Sequence, residues 1–168
     1  MTSSITGIQL ALPDSGGAYK KTRRLYNDTA GLDTSAGGVF VKLSGAGVTK
    51  AVEVPSTEAG ADAYGIVFDA VPTNANADGS EDLYIDVYCG LQDKFTAIVN
   101  TCSDASALLN GATVFIASTG NSLSLASAGL DIIGTIENGT GSVSAGARVV
   151  FSLTPSEAIA GYDSGDTT

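Results

Sequence analysis

With no histidine among 168 residues, the groups left to do chemistry are 18 carboxylates, two thiols and eight cations. Ser-His-Asp and Cys-His catalysis are thereby excluded, as are imidazole metal sites. Asp69, Asp86, Asp93 and Glu137 are nominal candidates for the paired carboxylates of a glycosidase. They fall in strands or at strand ends, however, and the chain has no tryptophan to line a sugar cleft. Nothing in their surroundings in the sequence separates one pKa from another, as acid and base roles require. No G-x-x-x-x-G-K-[ST] phosphate loop occurs, and Gly45-Ala46-Gly47 lies between short strands with no helix to follow, which removes the context of a dinucleotide site. The chain therefore reads as a non-enzyme that uses no cofactor.

Two weaker motifs remain. In Asn74-Ala75-Asn76-Ala77-Asp78-Gly79 the Asx residues alternate before a glycine, like the start of a calcium loop, but Ile85 stands where the bidentate glutamate belongs and no amphipathic helix flanks it. A long loop that uses Asn, Asp and Gly for its turns accounts for the same residues. Cys89 and Cys102 are too few for a zinc site or a disulfide scaffold and are expected as reduced thiols. The sequons Asn27-Asp28-Thr29 and Asn138-Gly139-Thr140 would accept glycan only in a glycosylating compartment. The N-terminal residues, Met1-Thr2-Ser3-Ser4-Ile5-Thr6-Gly7-Ile8-Gln9-Leu10, have neither the charged start nor the apolar run of an export signal. No run is long and apolar enough to span a bilayer.

The most concentrated chemistry is cationic. Lys20, Lys21, Arg23 and Arg24 supply half of the eight basic residues, sit between Tyr19 and Tyr26, and have no acid nearby, while the whole chain carries −10. Two readings of this window stay open. One is a solvated turn. The other is a docking strip in which the tyrosines give apolar contact and the cations steer an acidic partner. Stacking on single-stranded nucleic acid is disfavoured by the acidic remainder, so no nucleic-acid partner is expected.

The elements that must position these groups are strands. Apolar residues make up 43% of the chain, enough for a core, and 21 glycines break it into short β-branched runs. Ile5, Ile8, Leu10 and Leu12 form a strand or extended arm that stops at Pro13-Asp14-Ser15-Gly16-Gly17. Strands are expected over 39–43, 48–54, 64–71, 83–89, 94–99, 113–117, 123–125, 131–137 and 147–153. Residues 83–89 and 94–99 read as a hairpin about Gly90-Leu91-Gln92-Asp93, with Leu83, Ile85, Val87 and Cys89 on one face and Tyr84, Asp86 and Tyr88 on the other. One helical turn is expected over 101–109.

These strands also repeat. Val39-Phe40-Val41 and Val114-Phe115-Ile116 lie 75 residues apart, and so do Gly45 and Gly120, Val48 and Leu123, and Ala51 and Ala126. Gly65 and Gly134 continue the match at a separation of 69, beside β-branched runs, and each copy closes on an apolar strand, Leu83-Tyr84-Ile85-Asp86-Val87-Tyr88 and Arg148-Val149-Val150-Phe151-Ser152-Leu153. The expectation is an all-β protein, a small barrel or sandwich of two related β units with an extended N-terminal arm and little helix. Residues 1–36 would be arm and linker, 37–100 the first unit, 101–155 the second and 156–168 a flexible acidic tail.

The second unit, Leu109-Asn110-Gly111-Ala112-Thr113-Val114-Phe115-Ile116 followed by Ile132-Ile133-Gly134-Thr135-Ile136 and Arg148-Val149-Val150-Phe151-Ser152-Leu153, resembles the small capsid decoration proteins of tailed phages, and Tyr64-Gly65-Ile66-Val67-Phe68-Asp69 carries the same pattern in the first. The resemblance implies a structural virion protein on the exterior of an icosahedral head, made in the host cytoplasm, with the major capsid protein as partner. It also implies a homo-oligomer, commonly a trimer, although two units in one chain would let a monomer or dimer suffice. An N-terminal arm often engages the shell in such proteins. Here that role falls to Ile5, Ile8 and Leu10 together with Tyr19, Lys20, Lys21, Arg23, Arg24 and Tyr26. The competing expectation is a phage or cell-surface adhesin or fibre module that binds a glycan or receptor through loops such as 73–82.

Overall fold

The structure is a computed structural model that describes residues 7–12, 18–26, 31–43, 52–53, 64–73, 83–101, 111–116, 122–125, 132–138 and 146–154. Among them are eleven strands and no helix. In chain order these are β1 (Gln9–Leu12), β2 (Lys21–Leu25), β3 (Val39–Leu43), β4 (Val52–Glu53), β5 (Gly65–Val67), β6 (Tyr84–Tyr88), β7 (Lys94–Thr101), β8 (Thr113–Ile116), β9 (Leu123–Ser124), β10 (Ile132–Ile136) and β11 (Arg148–Leu153). Of the helical turn expected over 101–109, Thr101 instead ends β7 and the rest falls outside the described residues, as does the calcium-like loop.

Two sheets result. The first runs β2-β6-β5-β3-β4, antiparallel throughout. The second runs β1-β7-β11-β10-β8-β9, and a parallel pairing of β7 with β9 closes its last five strands into a barrel. When the five strands of each set are counted along the chain, both sheets read one-five-four-two-three. The two units therefore share a topology.

Atomic detail agrees. Gly65 lies opposite Val41, and Gly134 opposite Val114. A Cβ on Gly65 would strike the Tyr88 carbonyl oxygen and the Val87 side chain; one on Gly134 would strike the Ser152 carbonyl oxygen and the Phe151 ring. Both glycines are there because a neighbouring strand passes too close for any side chain. The hydrogen bonds at the strand ends also correspond. Tyr26 N–H donates to Leu83 O and Cys89 N–H to Lys20 O, as Val99 N–H donates to Ala147 O and Leu153 N–H to Asp93 O.

The pairing corrects part of the sequence match. Val41, not Val39, takes the place of Val114, and Val52, not Val48, takes the place of Leu123. Slips of two and of four residues, both even, leave every side chain on its original face, so the apolar pattern could not detect them.

The expected hairpin of residues 83–89 with 94–99 does not form. Both edges of β6 are occupied, by β2 and β5, and the chain crosses at 90–93 to the other sheet, where β7 pairs with β11. β7, expected in the first unit, thus belongs to the second sheet. The crossing is held by Asp93, which is only 3% exposed. Its Oδ2 accepts the Lys20 N–H at 3.0 Å, and its own N–H donates to Gly90 O at 3.2 Å. The face alternation of β6 is as expected, with Ile85 and Val87 buried and Tyr84 exposed.

The apolar interior falls into two clusters. Val99, Val114, Leu123, Ile136, Val149 and Phe151 are among the residues that fill the barrel, and Ile8, Phe40 and Ile66 from outside it join the same cluster. Tyr26, Leu32, Val41, Tyr64, Val67, Val71, Ile85 and Val87 form the other, inside the first unit. Each fully buried aliphatic or aromatic side chain contributes about 1.5–3 kcal/mol. Because Phe40 and Tyr88 reach Phe151 and Phe95 at ring separations of 6.4 and 6.3 Å, the outer face of the first sheet packs onto the barrel.

Candidate interaction surface

The basic window becomes β2 because Lys21-Thr22-Arg23-Arg24-Leu25 runs antiparallel to β6 at the border of the first sheet. The hydrogen bonds at Lys20–Cys89 and Tyr26–Leu83 show that the even-numbered residues turn their backbone groups toward β6. The N–H and C=O groups of Lys21, Arg23 and Leu25 therefore point to the opposite edge. Among the described strands, β2 pairs with β6 alone.

Strand alternation divides the cations between two faces. Lys21 and Arg23 project outward, with side chains 45% and 63% exposed, and both reach Asp86 on β6: Arg23 Nη1 at 3.0 Å from Oδ1 and Lys21 Nζ at 3.6 Å from Oδ2. The Arg23 hydrogen bond, with the nearby positive charge of Lys21 and Arg23, holds the Asp86 carboxyl below the usual carboxylate range. Lys21 Nζ also lies 5.5 Å from the centre of the Tyr88 ring.

Arg24 turns inward. Its Nη2 and Nε donate to Tyr64 Oη at 2.8 and 3.2 Å, and its guanidinium lies 5.3 Å from the centre of the same ring. Burial, reinforced by the Cys89 thiol nearby, raises the Tyr64 phenol above its ordinary value despite the Arg24 hydrogen bond. Thr22 Oγ1 lies 3.2 Å from Cys89 Sγ, a free thiol. Cys102 is outside the described residues.

The remaining residues expected to bind a partner separate clearly. Ile8 and Tyr26 are fully buried in the two clusters, and Ile8 bridges to Gly38, so neither is accessible to a partner. Tyr19 is half-buried against Tyr88 and Phe95, and its hydroxyl donates to Lys94 O at 3.1 Å. Lys20 is exposed. Leu10, on β1, is 46% exposed opposite Phe95. Ile5 lies outside the described residues. The N-terminal stretch is extended, yet both its strands are taken up in the fold, β1 along β7 and β2 along β6.

No family model matches the chain, and no curated protein does.

The carboxylates weighed as catalytic pairs have structural partners. Asp69 accepts the Asp86 N–H at 3.0 Å, and Glu137 accepts the Ser152 hydroxyl at 2.6 Å while lying 3.5 Å from Lys94 Nζ. Among the described residues no group of three His, Cys, Asp or Glu is placed to hold a metal ion. The arrangement that stands out is Asp86 of β6 held between Lys21 and Arg23 of β2, whose other edge no described strand covers. Sequence reasoning had Asp86 only as a nominal acid; its signal was the run of alternate residues Tyr84, Asp86 and Tyr88 on the outward face of β6.

Proposed function

We propose that the protein is a structural virion component that binds the exterior of an icosahedral phage head and stabilises the shell, with the major capsid protein as its partner. The observation that carries this reading is the run of exposed cations, Lys20 followed by Lys21 and Arg23 of the border strand β2, in a chain whose net charge is −10. Such a row steers approach to an acidic surface and fixes orientation on it. Two β units packed through a shared apolar cluster form a stiff body suited to bracing other proteins. The sequence resemblance to decoration proteins points the same way. In this reading the molecule acts by contact and not by catalysis, as a homo-oligomer, a trimer by analogy with those proteins, assembled on the head from subunits made in the host cytoplasm.

Removal of residues 1–26 is a poor test, since Ile8 and Tyr26 are core residues. The sharper experiment is Lys20→Gln/Lys21→Gln/Arg23→Gln, followed by co-sedimentation with empty heads assembled from the major capsid protein. Loss of three steering cations weakens binding about tenfold or more at low salt, and less at high salt. Unchanged binding overturns the role of the strip, and failure of the unaltered protein to bind heads overturns the function.

A further inference from the structure

The two units differ in one respect that assigns a specific role to the border of the first. In the second unit, the outer edge of the leading strand β7 is covered at Lys94, Phe95 and Thr96 by β1, which runs antiparallel to it through Leu12, Leu10 and Gln9. The matched hydrogen bonds place Lys21, Thr22 and Arg23 of β2 where β7 has Lys94, Phe95 and Thr96. There, among the described strands, nothing lies alongside. We propose that this edge of β2 is a strand-addition site that takes an extended acidic segment of a partner protein, antiparallel to β2 and in the position that β1 occupies on β7. The inference rests on reading the basic strip as a partner-binding surface, but not on that partner being a capsid protein.

Four considerations support this choice of guest. The backbone groups of Lys21, Arg23 and Leu25 point away from β6, so they offer the donors and acceptors that main-chain pairing requires. Directly opposite residues of an antiparallel pair share a face, so a guest residue facing Lys21 or Arg23 would lie beside an exposed cation, where an acid is favoured. The same cations disfavour the simplest competitor: two copies pairing β2 to β2 would set Arg23 against Arg23, or Lys21 against Arg23. Asp86 already holds both cations outward and in place, so a guest carboxylate meets them with little further ordering.

The probe is a labelled, end-capped eight-residue peptide of alternating glutamate and valine, titrated into the full chain. The expected result is saturable binding with slowed amide exchange at Lys21, Arg23 and Leu25. Those at Thr22 and Arg24, which face β6, are already protected without it. A peptide with lysine for glutamate binds about tenfold more weakly or worse. In the bound register the glutamate amides face β2 and the valine amides face away. Methylation of the glutamate nitrogens therefore abolishes binding, whereas methylation of the valine nitrogens largely spares it. Arg23→Pro, which removes one outward N–H and none of those facing β6, also abolishes binding; if that variant does not fold, the methylated peptides still decide. Equal affinity for both methylated peptides would show attraction by charge alone and overturn the proposal. So would edge amides already protected in the free protein, by its own residues if protection survives dilution or by a second copy if it grows with concentration. Peptide binding without head binding would retain the site and reject the capsid reading.

Discussion

The two units share one strand order but fill it differently. At four matched interior positions the second has Phe95, Ala97, Ile133 and Leu153, all buried. The first has Thr22, Arg24, Tyr64 and Cys89, joined by Arg24–Tyr64 and Thr22–Cys89 contacts at 2.8 and 3.2 Å. The second unit also closes through β7 and β9 and carries β1 on its remaining edge. In the first, the equivalent closure would run from Tyr26 onward, into residues outside those described. The comparison teaches a division of labour within one topology. The closed barrel supplies apolar burial, and the partner unit gives up some of it for a polar network behind an open, charged strand.

The largest expected effect tests that division directly. Phe151→Ala, in the barrel, costs about 3–5 kcal/mol. Its counterpart Val87→Ala, which removes fewer buried carbons, costs about half as much. Urea unfolding measures both. An equal loss at the two sites would mean that the first unit bears as much of the stability as the barrel, which would break the comparison.

Next come the matched glycines. Gly134→Ala and Gly65→Ala each drive a methyl into the carbonyl oxygen of an adjacent strand, of Ser152 and Tyr88 respectively. Each should cost about 1–3 kcal/mol, since backbone on both sides must shift. If only one substitution is costly, the equivalence of the two positions fails, whatever the strand order.

Residue patterns revealed the strand content, the two-unit plan and the Gly65–Gly134 match, because period-two alternation and glycine beside β-branched runs are local signals. Partners were less legible. Alternation shows which face of β6 is buried, but not which strands lie beside it, so Gly90-Leu91-Gln92-Asp93 read as a hairpin turn when it is a crossing between sheets. The basic window was legible as charge and not as geometry. Four cations in five residues read as one surface strip, yet a strand sends alternate residues to opposite faces, so Arg24 went to Tyr64 and Tyr26 into the core. Ile8 read as part of a docking arm because a short apolar strand appears the same whether its neighbour is another protein or its own chain.

A smaller effect isolates the polar network. Tyr64→Phe removes the acceptor of two Arg24 hydrogen bonds and should cost about 1 kcal/mol at neutral pH. Burial raises the Tyr64 phenol, so its neutral form belongs to the folded state. The stability it contributes is complete below the unfolded value near pH 10 and is lost as pH rises through the folded value. Urea midpoints taken from about pH 9 to about pH 11 should therefore fall less steeply in Tyr64→Phe than in the unaltered chain. Parallel curves would remove Tyr64 from the alkaline response and leave the network without energetic weight.

The smallest effect lies at the open edge and has the opposite sign in pH. Arg23, with Lys21 beside it, lowers the Asp86 carboxyl, so the ionised form is the one folding favours. Its contribution is present above the unfolded value near pH 3.9 and is lost as pH falls through the folded one. At the matched position of β11 stands Val150, which carries no charge, so this ion pair has no counterpart between β7 and β11. Amide exchange followed from about pH 6 down to about pH 3, corrected for intrinsic rates, should show the β2–β6 pairing loosening before the β7–β11 pairing. Asp86→Asn should remove that difference while leaving stability near neutrality almost unchanged, since exposed ion pairs contribute little. If the two pairings loosen together in the unaltered chain, Asp86 does not hold β2 in place, and the cations at its edge are positioned by the strand alone.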